Sequence, residues 1–78
     1  MNKTFKEILN RHRNWDLLVV IRSNHIRVFD VLDTETRSYW NYVESFEDVC
    51  CNYVMFDYGK VNLLIVAMNT DVDGFGRC

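Results

Sequence analysis

Residues 61–68 read Val61-Asn62-Leu63-Leu64-Ile65-Val66-Ala67-Met68, almost wholly apolar, with Gly59 just before and Asn69-Thr70-Asp71 just after. A short apolar run bounded by turn residues predicts a strand covered on both faces, with a buried helix segment as the alternative that periodicity alone leaves open. Leu17-Leu18-Val19-Val20-Ile21 is the second run of this kind. Two such strands bury most if they lie side by side, so the fold is organised around that pair.

The chain has 78 residues, of which 49% are hydrophobic and 26% charged. These proportions describe one globular domain over residues 1–78, with 70–78 as a tail, and exclude whole-chain disorder. A domain this small buries only about 60% of the surface of its unfolded chain, so its core is thin. No basic stretch followed by an apolar core and a small-residue cleavage site opens the sequence, so no signal peptide is expected. The longest unbroken apolar run, residues 63–68, is far short of the roughly 20 residues that span a bilayer, and no membrane association is expected. Three cysteines, two adjacent (Cys50, Cys51) and one terminal (Cys78), are not the framework of a small secreted fold. The expected location is the cytoplasm, or the host cytoplasm for a phage-encoded protein.

Charge is unevenly spread. Residues 1–27 hold six basic side chains (Lys3, Lys6, Arg11, Arg13, Arg22, Arg27) against Glu7 and Asp16, whereas residues 28–78 hold three against nine acids. The net charge of −2 therefore hides a basic end and an acidic end, a polarity that steers partners without naming them.

In chain order, residues 4–13 predict a helix. Thr4-x-x-Glu7 has the spacing of a capping box, and Phe5, Ile8, Leu9 and His12 recur at helical spacing along one stripe. Two β-rich runs follow, Leu17–Arg22 and residues 26–32, joined by a tight turn at Ser23-Asn24. Asp33-Thr34-Glu35 predicts another turn. Residues 36–42 read as a third strand, with Ser38, Trp40 and Tyr42 on one face and Arg37, Tyr39 and Asn41 on the other. A second helix is predicted from Ser45, with Phe46, Val49, Cys50, Tyr53 and Val54 as its apolar stripe and Gly59 as its left-handed cap. The fold expected is α+β, with element order αβββαβ. It is a four-stranded, mixed but mainly antiparallel sheet with two helices on one face and strand order 4-1-2-3, the alternative order being 1-2-3-4.

Chemistry-bearing residues are few. His12, His25 and the cysteines do not form a nucleophile, base and orienting group at any recognisable spacing, so no enzyme is expected. No catalytic residue, cofactor or metal is assigned. Residues 69–74 match the first half of a calcium-binding loop, but a strand precedes them and the chain ends before the bidentate glutamate position.

Two binding functions remain. The leading expectation is a non-enzymatic protein–protein interaction module, a stoichiometric inhibitor or adaptor of the small accessory type that phages and mobile elements encode (anti-defence proteins among them). Its partner is another protein, with a homodimer as the competing arrangement. Trp15, Tyr39, Trp40, Tyr42 and Tyr58 are the expected anchors, and Arg22 and Arg27 the orienting charges. The alternative is nucleic-acid binding through Lys3, Lys6, Arg11, Arg13, Arg22 and Arg27, which net acidity disfavours. Two short helices shelter only one side of a four-stranded sheet, so an apolar face is expected to remain open.

Overall fold

A computed structural model describes residues 2–69. It contains β1 (Lys3–Thr4), α1 (Phe5–Arg11), β2 (Leu17–Arg22), β3 (His25–Asp30), a 3-10 turn (Val31–Glu35), α2 (Arg37–Ser45), β4 (Cys50–Asp57) and β5 (Asn62–Met68). The five strands form one mixed sheet in the order β1-β4-β5-β2-β3. The α+β class with two helices stands, but the sheet has five strands rather than four. The tail from residue 70, including most of the calcium-loop resemblance, lies outside the described residues.

The two apolar runs are neighbours. β5 pairs with β2 in parallel, from Leu17 opposite Leu63 to Ile21 opposite Ala67. β2 and β3 form an antiparallel hairpin whose turn holds Ser23 at φ 43°, a left-handed conformation at the position where the sequence predicts the turn.

Residues 36–57 depart from expectation, and two corrections follow. Residues 36–42 are not a strand: they begin α2, which Thr36 caps by accepting a hydrogen bond from the Tyr39 N–H at 3.2 Å. Tyr39, Tyr42, Val43 and Phe46 recur at i, i+3, i+4 and i+7, whereas the period-two assignment left aromatic and polar side chains mixed on both faces. Residues 45–56 are not a helix either. Ser45 ends α2, and Cys50–Asp57 is a strand paired antiparallel with β5 from Cys51 opposite Met68 to Asp57 opposite Asn62. Gly59, at φ 73°, serves the β4–β5 turn instead of a helix cap, and its N–H donates to Asp57 Oδ1 at 2.9 Å. The predicted order αβββαβ fails for the same reason, since its third strand is helical and its second helix is extended.

This topology places the core. β3 and β4 run parallel to each other with β2 and β5 between them, so the connection must cross a face of the sheet, and α2 lies in that crossing. Phe5 and Ile8 of α1 and Tyr39 and Val43 of α2 join Leu18, Val20, Phe29, Leu64, Val66 and Met68 in a single buried cluster. The central strands β2 and β5 contribute alternate residues to it, as a pleated strand with one packed side must. The 2-residue β1 pairs Thr4 with Cys50 and leads straight into α1, whose amides at Phe5 and Lys6 donate to the Val49 and Glu47 carbonyls at 2.9 and 3.0 Å.

The capping box forms as its spacing predicts. The Glu7 N–H donates to Thr4 Oγ1 at 3.2 Å and the Thr4 N–H to Glu7 Oε1 at 3.3 Å. The Thr4 hydroxyl also donates to Glu7 Oε1 at 3.0 Å, and this bond first, then the Thr4 N–H bond, hold the Glu7 carboxyl below its usual range. Because the folded state favours the carboxylate, this contribution is present above the ordinary glutamate pKa and is lost as pH falls below it. Thr4→Ala is expected to cost about 1 kcal/mol at neutral pH and to flatten stability on the acid side, read from urea unfolding at several pH values.

Candidate functional site

The two helices lie beside each other over the sheet and leave a groove of about 490 Å³ between them. Lys6, Leu9, Asn10 and Arg13 form one wall, and Trp40, Val43, Glu44 and Glu47 the other, with Trp15, Tyr39, Val31 and Thr34 completing the lining. Helical geometry explains both walls. Lys6, Leu9 and Asn10 share one face of α1, and Trp40, Val43 and Glu44 one face of α2, at i, i+3 and i+4, while Arg13 and Glu47 extend the walls from the segments just past the two helix ends. The volume lies within the roughly 300–1,000 Å³ typical of binding sites.

The floor is aromatic. Trp15 and Tyr39 are buried, with ring centroids 6.2 Å apart, and Tyr39 meets Phe29 edge-on at 5.2 Å. Burial also pushes the Tyr39 hydroxyl pKa upward. Trp40 is 51% exposed yet fixed in place: its indole N–H donates to the Thr34 carbonyl at 2.6 Å, and its ring packs edge-on against Tyr39 at 5.1 Å. A half-exposed indole with a settled orientation presents apolar surface at little further entropic cost on binding. Lys6 and Arg13 line it from the α1 segment and Glu44 and Glu47 from the α2 segment, with Lys6 and Glu47 joined by a backbone hydrogen bond of 3.0 Å.

The residues expected to bind a partner thus divide. Trp15, Tyr39 and Trp40 come together in the groove, Trp40 as exposed surface and the other two as its support. Tyr42 is half-buried among Phe5, Phe29 and Phe46. Tyr58 is exposed in the β4–β5 turn, stacked on Phe56 at 5.9 Å. Arg22 lies over the Phe46 ring at 4.8 Å, its buried Nε without a hydrogen-bond partner. Arg27 lies over Phe29 and Tyr42 and donates to Ser38 Oγ. Both arginines therefore pack against α2.

The six basic residues named for nucleic acid are spread toward the two opposite edges of the sheet. Lys3 and Lys6 belong to β1 and α1 at one edge, with Arg11 and Arg13 further along, whereas Arg22 and Arg27 belong to β2 and β3 at the other. Sequence reasoning missed Glu44 and Glu47. The helical spacing of Glu44 from Trp40 was the available signal, hidden by the strand assignment.

Cys50 and Cys51 sit in β4, and both are buried. Successive strand residues point to opposite faces, and Cys51 is the one that joins the core. Its S–H donates to the Val49 carbonyl at 3.3 Å, and burial pushes the thiol pKa up to about 12. Since the unfolded thiol ionises near 9, stability is full below that pH and declines as pH rises toward the folded value. Cys51→Val is expected to lessen this alkaline decline, as measured by urea midpoints on either side of pH 9. His12 ends α1 and packs against Tyr53 at 4.9 Å, while His25 is exposed at the start of β3. Among the described residues no three His, Cys, Asp or Glu side chains cluster as metal ligands, and no helix is long and apolar enough to cross a membrane.

Comparison with known proteins finds no matching family model, curated protein or solved structure.

Proposed function

We propose that this chain is a protein–protein interaction module that takes an apolar side chain of a partner protein into the groove between α1 and α2. The observation that supports this most is the half-exposed, hydrogen-bonded Trp40 on a floor of Trp15 and Tyr39, flanked by walls of opposite charge. Tryptophan and tyrosine dominate binding energies where they are packed and pre-oriented. The charged walls set direction. The partner segment carries acidic groups on the side that meets Lys6 and Arg13 and basic groups on the side that meets Glu44 and Glu47. The mechanism is occupation without chemistry: the chain covers a surface on its partner, as a stoichiometric inhibitor or adaptor does.

Photo-crosslinking in the cell of origin tests this. A benzoylphenylalanine at position 40 is expected to capture one discrete protein, and the same group at position 58 is expected not to. Capture from 58 alone would contradict the groove.

A further inference from the structure

The side of the sheet away from the core holds a second apolar surface. Strand register aligns it in three rows. Val54, Ile65, Val19 and Val28 form the middle row across β4, β5, β2 and β3. Phe56, Leu63 and Leu17 form the next, ending at Asp30, and Asn52, Ala67, Ile21 and Ile26 form the third. Exposure is high at the β3 edge, 70% at Ile26 and 54% at Val28, and Ile21, Val54 and Phe56 are exposed as well.

We infer that a second copy of this chain covers this face, making a two-fold symmetric dimer of packed sheets. Charge supports it first. The three rows contain one charged side chain, Asp30, so a different protein would find little on this face to orient or select it. Two identical apolar faces need no such marks, because an isologous contact sets each face against itself.

Symmetry supports it second. Packed sheets keep their strands aligned within about 30°, so the two-fold axis runs along the strands or across them. The Asp30 corner then falls over the Phe56 corner or the Ile26 corner of the other copy, never over the other Asp30. Each carboxylate stays at the rim with access to water.

Area supports it third. Four strands about 4.8 Å apart and three rows of residues define a patch of roughly 19 by 20 Å. With side-chain relief counted, two such patches bury about 1,000 Å², the threshold for a specific interface.

This surface lies on the opposite side of the sheet from the groove, so the two proposals fail independently. Sedimentation of the full chain over a dilution series is the test. The expected mass is twice the 9.3 kDa of one chain at high concentration, falling to the single-chain value on dilution. Val28→Glu, and separately Ile26→Lys, are expected to raise the dissociation constant at least about 30-fold, whereas Trp40→Ala leaves it unchanged. Both substituted residues are exposed on the edge strand, and circular dichroism confirms that each variant stays folded. A single-chain mass at every concentration overturns the inference. So does a dimer that both variants leave intact, or a monomer that binds a different protein through Val28.

Discussion

Leu64→Ala is expected to lower the unfolding free energy by about 3 kcal/mol, and the neighbouring Ile65→Ala by much less. Leu64 is fully buried in the central strand β5 and belongs to the core cluster. Its truncation loses transfer energy and leaves a cavity, a combination that costs about 2–5 kcal/mol at buried leucines. Ile65, one residue along the same strand, points to the face without helices. A domain of 78 residues has roughly 4–12 kcal/mol of total stability, so the Leu64 variant loses a large share of it. The melting temperature should fall by about 12–24 °C. Urea unfolding at low protein concentration separates this from any contribution of self-association. Equal losses at 64 and 65 would show that both faces are sheltered alike.

Trp40→Ala is expected to weaken partner binding by at least about 2 kcal/mol, roughly 30-fold, with little loss of fold stability. The indole is half exposed and lies at the edge of the aromatic cluster, so its removal takes contact area from the partner more than from the core. Exchanging Lys6 and Arg13 for glutamate should act differently. It sets acid against the partner's acidic side, slowing association and changing its salt dependence, as opposed charges at an interface rim do. Titration of the photo-captured partner at two salt concentrations distinguishes the two effects.

Much of the sheet was legible in the sequence because its signals were local. The apolar runs at Leu17 and Leu63, the Thr4–Glu7 spacing and the Ser23-Asn24 turn each carry their cause within a few residues. Residues 36–57 were not legible in the same way. Phe46, Val49, Cys50 and Tyr53 repeat at helical spacing, yet they straddle the end of α2 and the start of β4. What makes Cys50–Asp57 extended is its pairing with β5 across the Gly59 turn, a contact that no local window weighs. At the same time a window ending at Tyr42 concealed Val43 and Phe46, the residues that complete the helical stripe of α2. That one exchange of helix and strand also kept the groove from view. Trp15, Tyr39, Trp40, Lys6 and Arg13 were all named, but in separate roles, and Glu44 and Glu47 for no binding role. Only α2 as a helix brings residues 40, 43 and 44 onto a single wall.

The chain has two tryptophans, Trp15 and Trp40, and both line the groove. Their intrinsic emission therefore reports directly on whether that surface is occupied. Titrating the partner captured at position 40 into the unmodified chain should shift the emission to shorter wavelength, as the exposed indole of Trp40 leaves water, and saturate at one partner per chain. A stoichiometric complex that forms with no change in tryptophan emission would contradict the groove as the site of binding.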